Sequence, residues 1–553
     1  VHAAPAAAKM HLKHERLTMT TENYQQFYQQ FDPKMIEEQL RGSLEGGLNA
    51  CEEICDKWAD DPNRLGLRYE GVEREASDHT FAELKARSAQ FANYLKSQGV
   101  GKGDRVAALL PRTPELMVVI LGVLRAGAVY QPLFTAFGPG AIEYRLGTAG
   151  TKMVLTDAAN RFKLDDVKDC PPIVLVGREN ADAKYAEDTD FETVMAQQSD
   201  EFAPVRVGAD EPMLQMFTSG TVGKAKGVAV PVRALFSFYV YMRYAIGLRP
   251  EDKYWNVADP GWAYGLYYAV VGPMLLGNTT HFNEHGFTPD STYMMLRKYG
   301  ITNLAAAPTA YRMLMAHDDI LSDDDKFELR AASSAGEALN PEVINWVDKR
   351  LGCPVMDHYG QTETGMTACN HHELEQDIVR VGSMGFSMPG HRVVAVDGEF
   401  NEIKEGETGQ LAVDVENSPL FFFQGYTWNE KDPFQGKYYL TGDVVISHGD
   451  GSYSFAGRDD DIITTAGYRV GPADVESTLL EHDAVAESGV VGKPDPERGS
   501  VIKAYVVLKG QAEPTEELAA ELKTFVRERL STHAFPRQVE FVQELPKTPS
   551  GKI

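Results

Sequence analysis

The residues best placed to do chemistry crowd into "MFTSGTVGKAKGVAV", residues 216–230. Thr218, Ser219 and Thr221 offer hydroxyl donors, and Lys224 and Lys226 offer point charges. Gly220, Gly223 and Gly227 let backbone N–H groups approach phosphate oxygens without a side-chain clash. A mobile surface turn could share this composition, but the ordered succession of hydroxyl, glycine and lysine argues for a phosphate cradle. It is not the P-loop of kinases and NTPases, because no Gly-Lys pair in it is followed by Ser or Thr. The chain carries 54 Lys and Arg against 80 Asp and Glu, a formal net charge of −26. That balance argues against a general nucleic-acid or membrane-surface binder. A polyanionic ligand must then be held locally, and it is a small molecule.

Around this stretch the sequence resembles the acyl-adenylate-forming superfamily, whose phosphate loop reads [ST]-S-G-[ST]-[ST]-G-x-P-K-G. Val222 and Ala225 depart from it, removing one hydroxyl and the proline. Further blocks follow in family order. "SSAGEALNPEV" puts Gly336, Glu337 and Ala338 where the family lays adenine. "DHYGQTETG" supplies Asp357, His358, Tyr359, Gly360, Gln361, Thr362 and Glu363. The resemblance implies Tyr359 stacked on adenine, Thr362 at the α-phosphate, and Glu363 with Thr221 holding Mg²⁺. "YYLTGD" ends in Asp443, implied to accept from the ribose hydroxyls, a task that suits an acceptor-only carboxylate. "GRDDDIITTAGYRVGPADVE" carries Arg458 for the ribose, Asp460 as a hinge, then Gly467, Tyr468 and Arg469; "LPKTPSGK" ends in Lys552.

The implied activity is that of an AMP-forming acyl-CoA synthetase using ATP, Mg²⁺ and coenzyme A on a small carboxylic acid. A carboxylate is a poor electrophile, and attack on the α-phosphorus of ATP turns it into a mixed anhydride whose leaving group is AMP. Two anions must meet, so catalysis is mostly electrostatic positioning. Lys552 is the cation expected between them. The small domain is then expected to turn on Asp460, withdraw Lys552 and present the Gly467 turn to a pantetheine thiol. Arg498 and Phe535 stand where medium-chain acyl-CoA synthetases contact CoA. A nucleotide-binding regulator that has lost catalysis is the rival reading; Lys552, Glu363 and Asp443 oppose it.

Two positions bear on the acyl group. Trp262, in "ADPGWAYG", falls beside the expected carboxylate pocket. Gly360 stands where acetyl-CoA synthetases carry a tryptophan that limits the chain, so glycine is expected to leave that volume open. Medium-chain or branched acids of four or more carbons are therefore expected, with short-chain or aromatic acids as the alternative.

These residues need a scaffold. Apolar positions at helical spacing over residues 81–95, then "RVAALL", an apolar run at 116–124 and "AVYQPLF", predict βαβ units. The alternation recurs at 140–176 and 280–360, giving an α/β fold of mostly parallel sheets. Short strands between Gly and Asp turns over 380–456 predict a small antiparallel sheet or barrel. A compact α+β domain follows. The expected organisation is a leader or alternative start at 1–18, an N-terminal adenylation domain at 19–459 and a mobile C-terminal domain at 460–553. No apolar run reaches the roughly 20 residues of a membrane span. Five scattered cysteines (51, 55, 170, 353, 369) suit structural thiols in a reducing cytoplasm.

Overall fold

Alternating helical and strand periods produce two parallel-rich sheets, each built from βα units. The computed structural model describes residues 21–218, 225–372, 379–428, 432–459, 461, 463–465, 468–495, 499–510, 512–529 and 534–547. The first sheet has eight strands in the spatial order 426–427, 226–231, 212–218, 129–132, 105–109, 153–157, 173–176 and 189–190. Strands 129–132, 105–109, 153–157 and 173–176 run parallel, while 212–218 and 226–231 pair antiparallel. The second sheet has six strands, with 254–256, 303–306, 331–335 and 355–361 parallel and the last turning back into 365–369.

Local chemistry sets the helices between them. Helix Phe81–Ser97 starts at Thr80, whose hydroxyl accepts from the Glu83 N–H while Glu83 accepts from the Thr80 N–H. The apolar run becomes helix Pro114–Arg125, almost wholly buried, with Pro114 at its first turn. Its last residue, Arg125, forms a buried ion pair with Asp56. That pairing occupies the carboxylate of the close group Cys51, Cys55 and Asp56, whose cysteines are free thiols.

Residues 393–458 form a five-stranded antiparallel sheet in which Asp443 lies directly opposite Arg458. The C-terminal region has its own core, from Ile463 through Val475, Ile502 and Leu522 to Val526, under strands 485–495, 499–508 and 538–541. No helix among the described residues is long and apolar enough to cross a membrane.

Candidate active site

The strand ends 218, 335 and 361 meet the rim of the antiparallel sheet at a cleft of about 2260 Å³. Thr218, Lys226, Trp262, Gly336, Glu337, Ala338 and Asp357 to Glu363 line it, together with Asp443 and Arg458. Ser219, Gly220, Thr221, Gly223, Lys224, Asp460, Gly467, Arg498 and Lys552 lie outside the described residues, as do the side chains of Tyr468 and Arg469. The segment that leads toward Lys552 does reach the cleft, through Leu545 and Pro546.

Register builds the corner around Asp443. Because Asp443 and Arg458 are cross-strand partners, the guanidinium Nη1 donates to Asp443 Oδ1 at 2.9 Å. Gln361 Nε2 donates to Asp443 Oδ2 at 2.9 Å, and the Tyr359 hydroxyl donates to the same oxygen. Gln361 is itself fixed, since its Nε2 also donates to the Thr441 carbonyl and its Oε1 accepts from the Tyr439 hydroxyl, each at 2.9 Å. Burial, with the Asp443 carboxylate beside it, pushes the Tyr359 phenol well up, so it remains a donor.

The segment of Gly336, Glu337 and Ala338 is positioned from behind. Gly336 has φ +107°, a conformation that glycine adopts at least cost, and turns the chain at the end of strand 331–335. Buried Asp357 accepts from the N–H groups of Leu339 at 3.4 Å and His358 at 3.1 Å, tying that turn to its neighbouring strand. Glu337 does not offer a free carboxylate: Arg312 Nη2 at 2.5 Å and Thr309 Oγ1 at 2.9 Å both donate to it. His358 does not offer a ring nitrogen either, because Nδ1 meets the Tyr241 hydroxyl and Nε2 the Asn370 carbonyl, each at 2.9 Å. Burial holds it well below the usual histidine range, hence neutral.

Glu363 is 7% exposed, and burial raises its carboxyl above the usual range. The Tyr426 hydroxyl donates to Oε1 at 2.8 Å, and Lys226 and Arg458 add favourable charge. A buried carboxylate that burial pushes toward protonation, with one oxygen bonded by a neutral phenol, fits a divalent cation. Thr362 lines the cleft, with its carbonyl held by the Tyr267 hydroxyl at 3.1 Å.

The open volume expected at Gly360 is corrected. A Cβ there would lie 2.7 Å from Met366 Sδ and closer still to the Gly365 carbonyl, so the space is already filled. The bulge between Tyr359 and Gly360 brings strand 365–369 against it. Gly227 serves a close approach as well, in addition to its place beside the phosphate loop. A Cβ on it would collide with Thr427 Oγ1 and come within 2.9 Å of the Trp428 ring. Phe535 lies off the cleft lining, half-buried on the C-terminal core with the Arg537 guanidinium 4.0 Å over its ring. Trp262 lines the cleft and packs on Phe134 and Phe137 at centroid distances of 5.3 and 5.5 Å.

Tyr426, Tyr439 and Met366 are site residues that motif reading missed. Tyr426 and Tyr439 sit in aromatic-rich stretches with no spacing that marks them as polar partners, and their contacts lie 63 and 78 residues away in sequence. Met366 stands just past the matched block, where residue type alone reads as core.

The chain matches the family described as AMP-binding enzyme over residues 55–426, and the AMP-binding enzyme C-terminal domain over residues 474–552. It is 37% identical over 544 residues to the acetyl-coenzyme A synthetase of Bacillus subtilis, covering 96% of this chain and 94% of that one. An acyl-CoA synthetase structure from Brucella canis shares 50% identity with a TM-score of 0.79, over 96% of this chain and 97% of that one. The anthranilate CoA ligase AuaEII, solved in complex with anthranoyl-AMP, superposes with a TM-score of 0.83 at 26% identity, over 92% and 96% of the two chains.

Proposed function

The chain belongs to the AMP-binding enzymes, as an AMP-forming ligase of the acyl-CoA synthetase family, and from that premise we propose its substrate and the work of its residues. The substrate is an apolar carboxylic acid of about four or more carbons, medium-chain or branched. The reaction is acid + ATP + CoA → acyl-CoA + AMP + pyrophosphate, through an acyl-adenylate. The observation that carries this reading is the convergence of Tyr359, Gln361, Glu363, Asp443 and Arg458 on one cleft that is also lined by Trp262, Tyr264, Tyr267 and Tyr268.

The carboxylate attacks the α-phosphorus, the bond to pyrophosphate breaks, and the acyl-adenylate forms. Asp443 receives the ribose. Three of its roughly four acceptor positions are already bonded, so a vicinal diol takes the remaining one and exchanges with an existing donor. Arg458, opposite Asp443 on the neighbouring strand, stands beside the same ribose. Mg²⁺, when bound, offsets the charge that develops on the phosphates. Glu363 would hold it, with Thr221 as the hydroxyl partner. Lys552 is assigned to this half-reaction. The turn about Asp460 then brings Gly467, Tyr468 and Arg469 to the site, with Arg498 toward the phosphates of CoA; this assignment and the division at residues 459/460 rest on the family pattern. We place the enzyme in the cytoplasm, a reading its free thiols support.

One observation favours a second reading, a short-chain or aromatic acid: Met366 and the Gly365 carbonyl fill the space beside Gly360. Mixing the enzyme with ATP, CoA and acids from acetate to decanoate, with isobutyrate and benzoate alongside, tests both. AMP and pyrophosphate should form in equal amounts, and only when an acid is present. ATP cleavage without any dependence on acid would refute the adenylation reading.

A further inference from the structure

The segment 426–428 grips both ends of the phosphate-loop hairpin. Tyr426 and Thr427 pair antiparallel with Val228 and Gly227 on the exit strand. The absence of a Cβ at Gly227 is what lets Thr427 and Trp428 lie against that strand. Trp428 stacks on Phe217, the residue before Thr218 at the loop's entry, with centroids 6.1 Å apart and planes at 14°. Lys226 Nζ sits 4.3 Å over the Tyr426 ring, a cation–π contact. The hydroxyl of that same ring donates to Glu363 Oε1 at 2.8 Å. One side chain therefore touches the loop's exit and the carboxylate at once.

We propose that Tyr426 is a positioning residue, which fixes the Glu363 carboxylate relative to the phosphate loop so that nucleotide phosphates and their divalent cation bind as one unit. The proposal rests on the reading that Glu363 holds a cation shared with ATP. The geometry gives it specificity. Tyr426 is anchored by backbone pairing to the strand that carries the loop, and Lys226 of that strand lies over its ring. A hydrogen bond to a buried carboxylate is also stronger than one between neutral groups.

The test is calorimetric binding of ATP to the full chain, without acid or CoA, once with Mg²⁺ and once with EDTA. Wild type should bind ATP more tightly with Mg²⁺. Tyr426→Phe keeps the ring and loses the hydroxyl; it should cut that gain by about three- to tenfold, with the affinity in EDTA unchanged. Phe423→Leu loosens the packing on Tyr426, whose ring centroid is 5.0 Å away, without touching the hydrogen bond. It should lower the melting temperature and keep the Mg²⁺ gain. If Glu363→Gln retains the full gain, the cation reading itself falls, and this proposal with it. If Glu363→Gln loses the gain while Tyr426→Phe retains it, only the positioning role is overturned. Loss of affinity in EDTA by Tyr426→Phe would also overturn it, by showing a structural role alone.

Discussion

The proposed ribose corner and the proposed acyl corner of one cleft are built on opposite principles. At the ribose corner, Asp443 is held by three side chains from two different sheets, and every donor is a residue of a recognisable block. At the acyl corner, the block residue Gly360 has no side chain at all. What matters there is the neighbour across a bulged hairpin, Met366. A polar site is specified by its own residues, because each hydrogen bond needs a particular atom at a particular distance. An apolar volume is specified by whichever atoms happen to fill it.

The largest effect that tests this contrast should come from Gly360→Trp. Any Cβ there meets the Gly365 carbonyl, which is backbone and cannot swing aside, so an indole should destroy the hairpin. The expected outcome is insoluble protein, or a melting temperature more than about 10 °C lower. Soluble enzyme with native stability and a preference for acetate would restore the open-volume expectation.

Asp443→Ala comes next. It removes the proposed ribose acceptor and strips Tyr359, Gln361 and Arg458 of a shared partner, so acid-dependent ATP–pyrophosphate exchange should fall by about a hundredfold or more. A loss under about fivefold would mean that the corner is scaffolding rather than a nucleotide contact.

Met366→Ala should act only on the acyl side. Removing the thioether opens the space beside Gly360, and selectivity for octanoate over butyrate should rise by about tenfold, since each buried methylene is worth roughly 0.8 kcal/mol. The KM for ATP should stay essentially where it is. Unchanged chain-length profiles would place the acyl tail elsewhere in the cleft.

The smallest effect is one of pH on the scaffold behind both corners. Burial pushes His371 down to about 4, and His372 and His391 down to about 3. Folded chains therefore stay neutral at these positions where unfolded chains, with ordinary histidine near about 6.5, take up protons. Their contribution to stability is complete above about pH 6.5 and drains away as pH falls toward about 4. Melting temperature should drop by several degrees between about pH 7 and pH 5, and His391→Gln should flatten that slope.

Much of the cleft lining was legible in the sequence because its blocks carry polar residues at fixed spacing along strand ends. Asp357, Tyr359, Gln361 and Glu363 all fall on one stretch, and the cleft collects them. Glu337 and His358 also line the cleft, with their polar atoms bonded to protein groups. The fold was legible through periodicity, as helices 81–97 and 114–125 show. Tyr426 was not. Its partners are Glu363 and Val228, and only the folded sheet places a strand of residues 426–427 beside a strand at 226–231.

Acyl preference is read most plainly from kcat/KM for CoA-dependent AMP formation, measured with acetate, butyrate and octanoate on the unmodified enzyme. Butyrate or octanoate should exceed acetate by at least about tenfold, because an apolar cleft rewards each added methylene by roughly 0.8 kcal/mol. Acetate as the best of the three would contradict the assignment to longer acids, and would give Met366 the chain-limiting role that Gly360 lacks.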